Sequence, residues 1–495
     1  MADFDLAIIG GGINGTAIAR DAAGRGLRVL LVEQNDLASG TSSASSKLIH
    51  GGLRYLEHGA FRLVREALRE REVLLRTAPH IIRPMRFMLP PAPKMRSPLL
   101  LRLGLFIYDR IGGRKLLPAT RLVDLTHHPV GVPLKRTFRY GFQYSDCWVD
   151  DARFVVLNAL DAAERGAAIR TRARCVRAER RQEWKLVLNV RGRREVATAR
   201  VLVNAAGPWI GQVAENVLRV PLPARVRLIK GSHIVVRRLF DHDEGYTFQA
   251  ADGRVVFALP FAEGFTLIGT TDRNFVGDVN SPAPDAEEIS YLIGVVNVFL
   301  RKTLMSTDVV WAFAGVRSLQ DDGSRKPEDV TRDYALELDE AFREAPLLTV
   351  YGGKITTSRR LAEVVMAKIG HFFDTRPAWT EHASLPGGDF AVDEFTVQIT
   401  RARNRWPFLS DATARRLVRA YGTRIDRILG TATDYEQLGP RFAGDLTGAE
   451  VRYLMAQEWA LTPEDVLWRR TKLGLVADKQ DQAALGGFMA SKAEA

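Results

Sequence analysis

The chain has 495 residues, 46% of them hydrophobic and 26% charged, which is enough for two or three domains with real cores and typical of a globular protein. Lys and Arg outnumber Asp and Glu by 70 to 58, a formal charge of +12, so its surface favours an acidic partner: a phosphorylated substrate, an anionic membrane leaflet or nucleic acid. Two cysteines, Cys147 and Cys175, exclude a disulfide framework, no His/Cys cluster has zinc-site spacing, and no apolar run suits a membrane-spanning helix or secretory leader, so a reducing, cytoplasmic setting is expected.

The first element is an apolar strand, Leu6–Ile9, followed by Gly10-Gly11-Gly12-Ile13-Asn14-Gly15 and a helix from Asn14 to about Arg25. A second strand, Val29–Val32, ends in Glu33. Gly10 permits a tight turn, Gly12 lets backbone amides approach a pyrophosphate, and Gly15 allows close helix–strand packing. The helix N-terminus points its positive end at the phosphates, and Glu33 stands where a carboxylate accepts hydrogen bonds from an adenosine ribose. Strand, glycine turn, helix and acid together specify a dinucleotide-binding unit.

Next comes a loop of small hydroxylated residues, Ser39–Lys47, then the phrase His50-Gly51-Gly52-Leu53-Arg54-Tyr55 and an amphipathic helix at 61–77. The spacing predicts irregular, proline-punctuated chain over 85–118 and a helix N-capped by Asp150 or Asp151 that ends near Gly166. Strands follow at about 168–178, 184–191 and 194–204, closing in Val203-Asn204-Ala205-Ala206-Gly207. Alternation over 225–275 predicts antiparallel strands of a second sheet. Val350–Lys354 reads as a buried strand returning to the first unit, with a helix from Thr356 or Thr357 to about Ile369. Helical spacing at 411–430 and 447–475 marks a separate helical domain, and the tail after Asp478 is expected to fray. Basic residues are not interleaved with stacking aromatics, so nucleic acid ranks last among partners.

The glycine turn, the Thr41–Lys47 loop, His50–Tyr55 and Gly352-Gly353-Lys354 resemble the FAD-dependent glycerol-3-phosphate dehydrogenase family, of the aerobic, respiratory type. Tyr144–Arg153, Ile229-Lys230-Gly231-Ser232-His233 and Trp468-Arg469-Arg470-Thr471-Lys472 extend the resemblance over nearly the whole chain. It implies an α/β fold with an α+β cap: a Rossmann-like FAD-binding domain, an antiparallel-sheet substrate domain of glycine-oxidase type, and a C-terminal helical domain. The FAD-binding domain would comprise 1–80, 145–210 and 345–372. The cap, with a membrane-facing segment, would comprise 81–144 and 211–344, and the helical domain 380–495.

FAD is longer than NAD, so its flavin end needs contacts far from the first turn. Thr41, Ser42, Ser45, Ser46 and Lys47 are expected beside the pyrophosphate and isoalloxazine, joining Gly10, Gly12, Asn14, Gly15 and Glu33. Ala205 and Gly207 resemble the second dinucleotide motif, and the resemblance adds Val176. Gly353, Lys354 and Thr356 open a helix whose N-terminus faces the flavin N1–C2=O edge, which becomes negative on reduction.

The implied substrate is sn-glycerol 3-phosphate, and a phosphate dianion suits fixed guanidinium groups. Arg54, Arg317 and Arg332 fall where the family's pocket arginines fall, and Arg317 sits in an apolar strand where a surface charge would be out of place. Tyr55, Thr270 and Lys354 are further substrate contacts by the same resemblance. Alcohol oxidation needs a base; His50 and His233 are the candidates, with Arg317 as an alternative stabiliser of an alkoxide. Electrons would pass to ubiquinone or menaquinone, or to oxygen in an oxidase of the same fold acting on glycerol 3-phosphate or an amino acid. The arginine-rich pocket argues against a zwitterion. Segment 94–115 mixes Lys94, Arg96, Arg102, Arg110, Arg114 and Lys115 with leucines and Phe106, which suits a helix lying on an anionic leaflet. The resemblance also implies a homodimer, peripherally bound to the cytoplasmic membrane.

Overall fold

The computed structural model describes residues 2–56, 59–91, 98–324 and 330–493. Among these, the strands form two sheets, of eight and ten strands. The first grows from β1 (Phe4–Ile9), whose Leu6–Ile9 run is apolar without alternation and buried on both faces, as a central parallel strand requires. β1 pairs in parallel with β2 (Val29–Val32) and β10 (Arg193–Asn204); β2 continues to β7 (Ala168–Arg170) and β10 to β18 (Leu347–Tyr351), which carries β17 (Ala335–Asp339) antiparallel. Helix α1 (Ile13–Gly24) packs against α4 (Asp151–Glu164) and α6 (Ser358–Ile369) on one face. The meander of β8 (Ala173–Arg180), β9 (Trp184–Val190) and β10 covers the other, burying Trp184. Asp150 is the N-cap of α4, its side chain accepting the Arg153 amide.

The second sheet orders β15 (Arg273–Asn274), β11 (Val226–Arg237), β14 (Phe265–Gly269), β13 (Val255–Phe261), β12 (Gly245–Gln249), β4 (Ile82–Leu89), β6 (Tyr140–Val149) and β3 (Leu48–Ile49). β16 (Val309–Gln320) pairs with β11, and β5 (Arg121–Asp124) with β6. Helix α5 (Ala286–Phe299) covers one face; the other faces the first sheet. Because Leu48 and Ile49 pair with Trp148 and Cys147, the chain passes between the two units near Ile49 and Val149. Both crossings lie near or inside stretches that the sequence assigns to the cofactor-binding domain.

Two sequence expectations are corrected. The stretch 85–118 is not irregular throughout: its described residues include most of β4 and then α3 (Pro98–Ile111), which turns Leu105 and Tyr108 inward while Leu99, Leu103 and Phe106 stay exposed. Lys94 and Arg96 lie outside the described residues. The tail after Asp478 forms α10 (Lys479–Ala493), held because Leu485 and Met489, one helical turn apart, are 0% and 3% exposed in the core of the helical domain. That domain also contains α7 (Phe395–Arg405), α8 (Asp411–Tyr421) and α9 (Gly448–Glu458) around Trp406, Leu417 and Leu454. It grips the first unit through the buried ion pairs of Arg470 with Asp36 at 2.8 Å and of Arg153 with Glu458, and through the half-buried pair of Arg172 with Asp465 at 2.9 Å.

A chain ending at Asp478 should lose about 3–6 kcal/mol of stability, from two buried apolar side chains at roughly 1.5–3 kcal/mol each. Urea unfolding followed by tryptophan fluorescence reads this; a truncated chain as stable as the full one would show that α10 contributes no packing.

Candidate active site

The glycine turn is built by exclusion. Gly10 has φ +118°, and a Cβ there would lie 2.5 Å from the Ala205 carbonyl oxygen; a Cβ on Gly15 would lie 1.9 Å from the Gly10 oxygen. Backbone thus meets backbone where β1, α1 and β10 converge, and larger residues would open the turn. Glu33 accepts the Gly11 amide at 2.7 Å and the Asn35 amide at 2.8 Å, which fixes the carboxylate at the end of β2. Gly10, Gly12, Asn14 and Glu33 line a cavity of about 210 Å³, closed on its far side by Thr41, Ser42, Ala205, Gly207 and Gly353. Asn14 donates to the Gly352 carbonyl at 3.0 Å while its own amide oxygen is buried without a partner.

This cavity shares Thr41, Ser42, Arg317 and Gly353 with a larger one of about 470 Å³ between the two sheets. The pair makes an elongated space: a glycine-walled end at the first turn, and a broad end lined by Ser45, Ser46, His50 and Lys354. Those features fit FAD, with the adenosine and pyrophosphate at the narrow end and the ring system at the broad one. Gly315 of β16 closes against Ala44, where a Cβ would come within 3.0 Å of the Ala44 Cβ.

The Thr41–Lys47 loop is held from behind. Thr41 donates to the Val316 carbonyl. Lys47, with φ +58°, turns away from both cavities and is buried against Asp151 at 2.8 Å, while Ser45 donates to the same carboxylate at 2.7 Å. Thr356 accepts the His50 amide at 3.2 Å behind the cavity wall. Val176 sits at the irregularity in the β8–β9 ladder, where the register shifts between Cys175 and Arg177; Cys175 lines the narrow cavity and Val176 does not. Gly15, Lys47, Val176 and Thr356 therefore stand behind the cavity surface.

The broad end gathers positive charge. Arg317 and Arg332 both reach one oxygen of Asp272, at 2.8 and 2.9 Å. Arg54 and Tyr55 come from the turn before α2 (Phe61–Thr77), and Thr270 from the end of β14. Lys354 holds its ammonium 3.8 Å from the centroid of the Tyr55 ring, with no conventional hydrogen-bond acceptor. Burial, helped by Arg332 and opposed by Tyr55, lowers the Lys354 pKa. Burial opposes ionisation of Tyr55, but Lys354, Arg332 and Arg317 outweigh it and draw the phenol below its ordinary value. Gly231 makes room for this cluster: a Cβ there would meet Thr270 Oγ1 at 2.8 Å and the Arg317 guanidinium at 2.9 Å.

Of the two histidines, only His50 reaches the cavity. His233 lies underneath, stacked on Phe313 with centroids 5.0 Å apart and 2.9 Å from the Ser46 hydroxyl. Sequence reasoning missed Asp272; the signal was an acid two residues beyond Thr270, a ready counter-ion for an arginine in an apolar strand. It also assigned no task to Gly231.

Residues 5–357 match the family model for FAD dependent oxidoreductases, and 378–491 match the C-terminal domain of alpha-glycerophosphate oxidase. A glycerol-3-phosphate dehydrogenase of Pseudomonas aeruginosa is 50% identical over 99% of this chain and 95% of its own. The aerobic glycerol-3-phosphate dehydrogenase of Escherichia coli is 46% identical over 98% of this chain and 97% of its own. The chain belongs to the FAD-dependent glycerol-3-phosphate dehydrogenase family. It is a flavoenzyme, and FAD is its cofactor. A D-erythritol 1-phosphate dehydrogenase of Brucella abortus is likewise 50% identical, over 97% of this chain and 96% of its own. The structure of the Bacillus halodurans glycerol-3-phosphate dehydrogenase complexed with FAD superposes with a TM-score of 0.75 at 25% identity, over 99% of this chain and 94% of that one. A glycine oxidase from Geobacillus kaustophilus shares the fold, with a TM-score of 0.57 at 20% identity over 78% of this chain and 99% of that one.

Burial and then nearby cations hold His50 and His233 of this flavoenzyme, and also His80, at pKa values of about 3. The unfolded chain protonates these imidazoles below about pH 6.5, whereas the folded one keeps them neutral. Their contribution is complete above pH 6.5 and is lost as pH falls towards 3, by about 1.4 kcal/mol per pH unit for each histidine. Urea midpoints from pH 7 to 4 should fall accordingly, and NMR should show no His50 titration near pH 6.5; a His50 ring titrating there would contradict the buried, cation-flanked site.

Proposed function

We propose that the enzyme oxidises sn-glycerol 3-phosphate to dihydroxyacetone phosphate and passes the electrons to a membrane quinone, ubiquinone or menaquinone. The observation that carries the substrate is the gathering of cations at the broad end: Arg54, Arg317, Arg332 and Lys354 line it together with Asp272, while the other carboxylate of the lining, Asp146, is paired with Arg71 at 2.7 Å. A lining in which cations outnumber carboxylates suits a phosphate dianion together with a developing alkoxide. FAD, when bound, takes up the hydride from C2. The arginines and Lys354 hold the phosphate and orient C2; Tyr55 and Thr270 hydrogen-bond the substrate oxygens. His50, neutral in the resting site, accepts the hydroxyl proton. A phosphate that neutralises Lys354 removes the nearest cation depressing His50, so substrate binding itself raises the basicity of the imidazole.

The membrane part of the proposal rests on α3. Leu99 and Phe106 are 79% and 52% exposed, Arg110 covers the Phe106 ring at 3.7 Å, and Arg102 is exposed beside them. This is an apolar ridge flanked by cations, the arrangement of a helix seated in a headgroup plane. No helix among the described residues is long and apolar enough to cross a membrane, so attachment would be peripheral. The family resemblance supports a homodimer. The match of the C-terminal domain to an oxidase family favours one second reading, with oxygen as acceptor, which hydrogen peroxide released during turnover would identify.

Glycerol 3-phosphate added anaerobically should bleach the flavin band, and Gly231→Ala should raise the concentration needed at least tenfold while leaving FAD content unchanged. Unaltered bleaching in that variant would remove the cation cluster from substrate binding. Leu99→Asp combined with Phe106→Asp should release the enzyme from anionic vesicles and spare dye-linked activity, since neither side chain lines the cavity; retention on the vesicles would show that α3 is not the anchor.

A further inference from the structure

The cap sheet presents a polar group to the cavity that the reaction above does not use. Along β12 and β13, Tyr246, Phe248, Val256 and Ala258 point into the core beneath α5, so strand alternation turns Thr247, Gln249, Val255 and Phe257 to the cavity. Thr247 Oγ1 is 2.8 Å from the Tyr144 hydroxyl. The Gln249 amide, half-buried, has no hydrogen-bond partner among the described residues, so both its donor and its acceptor face the cavity unspent.

Register places this amide in line with the cation cluster. His233 pairs with Gly269, Gly269 with Phe257, and Phe257 with Thr247; β14 ends at Gly269, and two residues further along, Gly231 of β11 lies on the same side of this row as Val255 and Gln249, which pair with each other. The Arg317 guanidinium lies over Gly231. β11 and β12 are three strand steps apart, about 14 Å at roughly 4.8 Å per step. Allowing a hydrogen bond of about 3 Å at each end leaves roughly 8 Å. That is the length of an extended phosphorylated chain of three to four carbons, built from bonds of about 1.5 Å. From phosphate oxygen to terminal oxygen an extended three-carbon chain covers about 7.5 Å and a four-carbon chain about 9 Å, so a fourth-carbon hydroxyl reaches Gln249 without full extension, whereas a three-carbon chain falls just short and leaves the gap to water.

We propose that Gln249, with Thr247 beside it, receives the terminal hydroxyl of a four-carbon alditol phosphate, so that the enzyme oxidises such a substrate as well as glycerol 3-phosphate. The inference rests on reading the cation cluster as the phosphate site. Relatives of equal identity act, by their names, on one substrate or the other, so overall similarity does not choose between them. The chemistry is unchanged: a secondary C–H bond breaks and its hydride goes to FAD, the hydroxyl proton goes to the base, and a ketose phosphate remains.

The test is anaerobic flavin reduction by D-erythritol 1-phosphate and by glycerol 3-phosphate in the wild-type holoenzyme, Gln249→Leu and Gln249→Ala. Both substrates should bleach the wild-type flavin. Each variant should lose about tenfold in efficiency with the four-carbon substrate, the loss of one hydrogen bond, and less than twofold with glycerol 3-phosphate. Bleaching by glycerol 3-phosphate alone overturns this inference and leaves the proposed function standing; bleaching by neither overturns both. Equal losses on both substrates in the variants also overturn it, because Gln249 would then act only through the fold.

Discussion

The pocket depends on one buried ion pair. Lys47 and Asp151 are 1% and 0% exposed at the side chain and 2.8 Å apart, at the point where the loop after β2 meets the N-terminus of α4. Neither charge tolerates burial alone: loss of one partner from such a pair typically costs about 3–5 kcal/mol. Burial lowers the pKa of Lys47, and the ammonium in turn draws Asp151 below the usual carboxylate range despite its own burial. The same carboxylate takes the Ser45 amide and hydroxyl, and the next residue, Ser46, reaches His233 of the cap. Cofactor loop, cofactor domain and cap are thereby referred to a single charge, and the walls of both cavities inherit their spacing from it.

The positive balance of the composition divides into two populations. Many arginines are consumed internally: Arg20 with Asp161, Arg71 with Asp146, Arg359 with Glu70, and Arg470 with Asp36 are all buried pairs. They work as struts, and their planar, permanently charged groups suit that task better than lysine. Arg469 and Arg470 converge on Asp36, three residues beyond Glu33, so the helical domain braces the turn that shapes the adenosine end. The cavity cations differ in kind. Arg317 and Arg332 meet at a single carboxylate, Lys354 rests on an aromatic ring, and all three line the broad cavity, a setting suited to an anion.

The sequence displays most of what local chemistry decides. The strand–glycine–helix–acid unit, the Asp150 cap and the alternation over 225–275 each follow from short-range rules, and each stands in the structure as read. What it hides depends on partners distant along the chain. Lys47 reads as a phosphate contact until Asp151, 104 residues on, claims it. Asp272 has no meaning until β16 folds Arg317 against it. The last helix looks polar and frayed because its core contacts are few, and only packing against the rest of the domain reveals that two of them suffice. His50 and His233 look equivalent as residue types, and only their placement in the fold, one lining the cavity and the other stacked on Phe313 beneath it, separates them.

The discontinuity of the first sheet also shapes how the molecule comes into being. β1 is made at residue 4, yet β18, which completes the parallel core beside β10, is made at residue 347. At roughly 5–20 residues per second, ribosomal synthesis separates these strands by some tens of seconds. During that interval the glycine turn has no Gly353 opposite it and Asp36 has no arginine. The cofactor cavity is therefore completed only after residues made long after the glycine turn, and the early apolar strands wait through that interval without their final neighbours.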